Sequence, residues 1–149
     1  MNAEKYAKLI EKALLSCPYI ENRPRFPSEI EIPELDPDAL YWRDEIDIQQ
    51  NLCLTVMESA FFYDDEILER AFSYDLREKG TSRLIWRIDN HSRRQPISSR
   101  CHVHNLPNDP PNSRIEYFKN SSGTIFTYAI RCINNHFEGK PQDWEEPRQ

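Results

Sequence analysis

No stretch of this chain approaches the run of about eighteen apolar residues that a membrane-spanning helix requires, so no membrane contact is expected. The first residues lack the apolar segment of a secretory signal. The four cysteines, Cys17, Cys53, Cys101 and Cys132, stand far apart and form no Cys-x-x-Cys pair. That spacing argues against a zinc framework or a disulfide scaffold, and the cysteines read as reduced thiols in a cytoplasmic protein. There is no internal repeat. Positive charge is also scarce: 19 Lys and Arg face 25 Asp and Glu, for a net −6. What basic charge there is, however, is gathered in one place.

Residues 83–104 read RLIWRIDNHSRRQPISSRCHVH. They hold five of the thirteen arginines, three of the four histidines and a single acid, Asp89. Five arginines against one aspartate make a formal +4, so the rest of the chain carries −10. Alternate residues of a strand share a face. Leu84, Trp86 and Ile88 form an apolar face, while Arg87, Asp89 and His91 lie on the other. In the second part Arg100, His102 and His104 share one parity, and Cys101 and Val103 the other. Pro96 and Ser98-Ser99 mark a loop between them. If 101–104 returns alongside 84–91, three histidines, one aspartate and several arginines converge. A lone exposed His or Arg on a strand is ordinary surface. The matching of residue types on one expected face is what singles out this cluster as a phosphate-facing site, with RNA the favoured ligand.

The remainder reads as one α+β domain, residues 1–139, followed by a polar C-terminal tail, 140–149. Asn2 is placed to cap a helix whose stripe is Tyr6, Leu9, Ile10, Ala13 and Leu14, with Pro18 ending it. Residues 18–38 are rich in Pro and acid and read as a loop or arm, with Glu29 to Ile32 as a short edge strand. A meander follows. Leu40, Trp42, Ile46 and Ile48 alternate with polar residues; 52–63 is apolar and β-rich; Leu68, Phe72, Tyr74 and Leu76 alternate again; Lys79-Gly80 turns into 83–91. Residues 115–118 fit a short strand. Phe126, Ala129, Ile130, Ile133 and Phe137 have helical spacing from Thr124, with Ser121 or Ser122 as cap and Gly139 as stop. The expected architecture is a four-stranded antiparallel meander flanked by an N-terminal and a C-terminal helix, in two layers.

At Asp89-Asn90 and His102-Val103-His104 the chain resembles the TumE-type toxins of bacterial and archaeal toxin–antitoxin pairs. Those toxins run helix, antiparallel strands, an aspartate–asparagine pair closing a strand, a Pro/His-rich loop, a His-x-His and a final helix. The literal motif match covers roughly residues 84–106. The family usually carries a histidine pair shortly after the aspartate–asparagine; here Arg93-Arg94 sit near that place and His91 comes earlier. The resemblance implies a growth-inhibiting toxin neutralised by a helix-turn-helix antitoxin.

The residues themselves suit metal-independent RNA cleavage. The 2′-hydroxyl attacks its own phosphate, and histidine, with an unperturbed pKa of about 6.5, serves as acid or base near neutral pH. His102 and His104 would be that pair. Asp89 would orient His91, and Arg87, Arg93, Arg94 and Arg100 would hold phosphate through bidentate hydrogen bonds. No cofactor is called for. Two alternatives stand beside this: a metal-dependent nuclease with Asp89, His91, His102 and His104 as ligands, and a non-catalytic module that binds nucleic acid or a partner. The expected partners are RNA through its backbone, the antitoxin, and a second copy of the chain in a homodimer.

Overall fold

Asn2 opens the first helix. Its side-chain oxygen accepts the Lys5 backbone N–H at 2.9 Å, which occupies one of the donors that a first turn leaves unpaired. In this computed structural model the residues described are 1–21, 30–81, 83–90, 101–104, 115–118 and 126–142, with 101–104 and 115–118 as backbone. Helix α1 runs Ala3–Leu15. Its expected stripe faces inward: Tyr6, Ile10, Ala13 and Leu14 are buried. Helix α2 is described as Phe126–Glu138. It ends at Gly139, whose φ of 68° suits glycine. Lys140 N–H donates to the Asn135 carbonyl at 3.0 Å and closes the last turn. The Ser121 and Ser122 cap positions and Thr124 lie outside the described residues.

Among the described residues seven strands lie between the helices: β1 Ile30–Glu31, β2 Ala39–Ile48, β3 Leu52–Tyr63, β4 Glu66–Glu78, β5 Leu84–Asp89, β6 Cys101–His104 and β7 Ile115–Phe118. They form a single sheet in chain order, each antiparallel to the next. The expected four-stranded meander is therefore the long-stranded middle of a seven-stranded one. The added strands have two to four residues and fall on the three short segments, 29–32, 101–104 and 115–118, that the sequence marks as extended without joining them to the meander. Turn chemistry sets the long hairpins. Gln50 and Asn51 have φ of 60° and 61°, and Asp64 and Asp65 have φ of 51° and 61°. Such positive angles match the twist of paired strands, and after glycine Asn and Asp tolerate them best.

Both helices pack on the same face of the sheet. α1 lies against β2 and β3. Phe126 at the start of α2 meets Trp42 of β2 edge-on at 4.8 Å and Tyr74 of β4 at 5.3 Å. Trp42, Ile46, Leu54, Val56, Phe72, Leu76, Trp86 and Ile88 complete this core. Each such side chain stabilises the fold by roughly 1.5–3 kcal/mol through burial. Leu68 keeps the parity of Phe72 and Tyr74 yet is 73% exposed, so it is not the core residue that the alternation indicated. The register shifts there, Phe61 pairing with Glu69 and Phe62 with Ile67, so Leu68 is the extra residue of a bulge and the alternation breaks at it.

One acid occupies an inward position. Glu58 falls where the β3 alternation Leu52, Leu54, Val56, Glu58, Ala60, Phe62 calls for an apolar residue, and it is 3% exposed. The hydroxyls of Tyr6 and Tyr74 both donate to its carboxylate. Burial pushes the Glu58 carboxyl above its usual range; the two tyrosine bonds and the Arg70 charge oppose that shift. This buried cluster ties α1 to β3 and β4.

Candidate functional site

The two halves of the basic stretch are neighbours in the sheet. β5 and β6 pair antiparallel, with Arg87 opposite His104, Ile88 opposite Val103 and Asp89 opposite His102. Trp86 and Ile88 are buried on the helix-covered face. Arg87 and Asp89 therefore take the other face, and directly opposed positions of an antiparallel ladder belong to one face. Positions 102 and 104 thus join Asp89 and Arg87, while 101 and 103 fall on the side of the core. On β2 and β3 this other face is open, with Tyr41, Arg43, Glu45 and Met57 exposed, whereas Asp75 of β4 and Asp89 of β5 are buried on it.

The register extends across the sheet in two rows. One runs Glu45, Thr55, Asp75, Arg87, His104, Ile115 from β2 to β7. The next runs Arg43, Met57, Ser73, Asp89, His102, Tyr117. Of the residues singled out by sequence, Asp89 is buried at 6% exposure, Arg87 is half-buried, and His102 and His104 hold the ladder positions just given. His91, Arg93, Arg94 and Arg100 lie outside the described residues, as does the loop that carries them.

Asp75 of β4 is the site residue that sequence reasoning passed over. Arg87 Nε donates to Asp75 Oδ1 at 2.8 Å and Arg87 Nη2 to Oδ2 at 3.1 Å. Arg77 Nη2 also donates to Oδ2, at 3.0 Å, and Ser73 Oγ to Oδ1 at 3.3 Å. The Asp75 bonds raise the Arg87 guanidinium pKa further above its ordinary value, with burial opposing the shift. A signal for Asp75 was present. It alternates with Ser73 and Arg77 on the outward face of the strand that hairpins into 84–89. Only the register, however, reveals which basic residue it meets.

Asn90 explains the other half of the aspartate–asparagine pair. It is 3% exposed. Its Oδ1 accepts the Phe72 N–H at 3.0 Å, and its Nδ2 donates to the Arg70 carbonyl at 2.7 Å. The side chain thereby supplies to β4 the hydrogen bonds that a longer β5 would have supplied. Asn90 thus pins the end of β5, and with it Asp89, at the site.

Helix, antiparallel strands, a strand closed by Asp89-Asn90, and a His-x-His brought alongside it by register together form the pattern to compare with known proteins. No curated protein and no solved structure matches the chain. A family model described as Toxin TumE matches residues 11–134, which spans the sheet, both halves of the site, the end of α1 and most of α2. The chain therefore belongs to the TumE toxin family, the toxin side of a toxin–antitoxin pair whose partner is an antitoxin.

Proposed function

We propose that this toxin acts on RNA and cleaves it without a metal ion at the end of β5 and β6, on the face away from the helices. The observation that carries the reading is the register: Asp89 stands opposite His102 and Arg87 opposite His104, from segments separated by more than ten residues of chain. Two histidine positions one row apart suit an acid and a base on either side of one phosphate. One histidine takes the proton of the attacking 2′-hydroxyl, and the other protonates the leaving 5′-oxygen. Arg87, with Arg93, Arg94 and Arg100, stabilises the charge that develops on the phosphate. The partner would be a helix-turn-helix antitoxin that covers this cationic end.

The chemistry has a signature. RNA incubated with the purified chain and a chelator should yield fragments ending in 2′,3′-cyclic phosphate, and a 2′-deoxy substitution at the cut position should stop cleavage. Activity abolished by chelator and restored by a divalent transition metal would replace this reading with the metal-dependent one.

A further inference from the structure

On the sheet face away from the helices, Asp75 is only 8% exposed. Among its surroundings are its own donors: Arg87 through two nitrogens, Arg77 and Ser73. A guanidinium has five N–H groups in a rigid fork. Arg87 uses one on Nε and one on Nη2 toward Asp75. Three remain, and two of them, one on Nη1 and one on Nη2, lie parallel at the end of the fork that grips a phosphate in bidentate fashion. The Arg87 side chain is 36% exposed, so this end is within reach of a ligand. Arg77 also binds the Asp75 carboxylate, and with Asp89 acting on Arg87 the four groups sum to zero, so Arg87 offers a phosphate directed N–H groups rather than net charge. Arg87 stands opposite His104, one row from Asp89 and His102.

We propose that Asp75 is the positioning residue of a phosphodiester site, holding Arg87 so that the two parallel N–H groups at its free end grip one phosphate of single-stranded RNA beside position 104. The proposal rests on the RNA reading above and adds β4 to the site. Asp75 itself touches no substrate. It fixes the long Arg87 side chain in advance, so that binding does not have to order it.

The test uses the full chain and a fluorescent single-stranded 2′-deoxy decanucleotide, which binds but has no 2′-hydroxyl with which to be cut. Arg87→Ala is expected to weaken binding about tenfold and to lower the salt dependence by about one counterion. Asp75→Asn should weaken it by a similar factor. The double variant should bind no worse than Arg87→Ala alone, because Asp75 acts through Arg87. Asp75→Glu keeps the carboxylate and should restore most of the affinity, and Arg87→Lys keeps the charge, loses the fork and should not. These two conservative variants carry the test should Asp75→Asn fail to fold. Full additivity of Asp75→Asn with Arg87→Ala would reduce Asp75 to a structural ion pair and overturn the proposal. So would loss of binding on Arg87→Ala with none on Asp75→Asn. A wild-type chain that ignores both this oligonucleotide and an RNA of the same sequence would overturn the RNA reading as well, which separates the two failures.

Discussion

Replacing Asn90 with alanine removes two side-chain hydrogen bonds at a position 3% exposed. The Phe72 N–H and the Arg70 carbonyl of β4 then lose the partners that they have at 3.0 and 2.7 Å. Each buried backbone group left unsatisfied costs about 1–3 kcal/mol. With some relaxation and water entry, the expected loss is about 3 kcal/mol, or roughly 6–12 °C in Tm for a chain of this length. Urea unfolding of the full chain measures it as a lower midpoint at unchanged slope. Asn90→Asp sharpens the test. A carboxylate still accepts from Phe72 but presents an oxygen, without a proton, to the Arg70 carbonyl. At neutral pH it should be at least as damaging as alanine, with recovery as the pH falls and the carboxyl gains its proton. Both variants lying within about 0.5 kcal/mol of wild type, the ordinary range for a surface change, would refute the reasoning. The asparagine would then not be what pins the end of β5.

Three further outcomes follow from the same geometry. The Glu58 carboxyl is raised above its ordinary value of 4.5 in the fold, so its stabilising contribution is complete below about pH 4.5 and is lost as pH rises through the raised value. Glu58→Gln should therefore gain stability relative to wild type on going from acid to neutral pH, and a difference that stays flat across that range would remove Glu58 as the cause. Reversing charge at Arg93 and Arg94 should weaken RNA binding at least about tenfold, with wild-type affinity falling as salt rises; affinity indifferent to both would remove the loop from the site. In complex with the antitoxin, hydrogen exchange should slow over residues 91–104; protection confined to 24–38 or 140–149 would place neutralisation away from the site.

The site was legible where strand alternation reaches it. Arg87 and Asp89 on one side and Trp86 and Ile88 on the other follow from a period of two, and the structure keeps that division. The pairing of β5 with β6 was foreseen only as a condition, because no local signal fixes the register of strands joined by a loop. Asp75 was hidden for the same reason: one acid among the alternating polar residues of β4 looks like solvated surface until its cross-strand neighbours are known. Glu58 broke the pattern differently. Its position is apolar by period, and only the approach of Tyr6 from α1 and Tyr74 from β4 makes a carboxyl acceptable there. Gln142, in the segment read as a polar tail, is 6% exposed and donates to the Cys132 carbonyl at 2.6 Å, a contact that composition cannot signal. Among the described residues Cys17, Cys53 and Cys132 are free cysteines.

The claim that the β5–β6 ladder is where RNA is cut is tested most directly by separating cleavage from binding at its two histidines. Purified His102→Ala and His104→Ala chains should each lose at least about a hundredfold in RNA cleavage rate, the scale of a general acid or base. Each should still bind a 2′-deoxy oligonucleotide within about threefold of wild type, since the arginines that hold phosphate remain. Cleavage by either variant at the wild-type rate would contradict the assignment of these histidines as the acid–base pair.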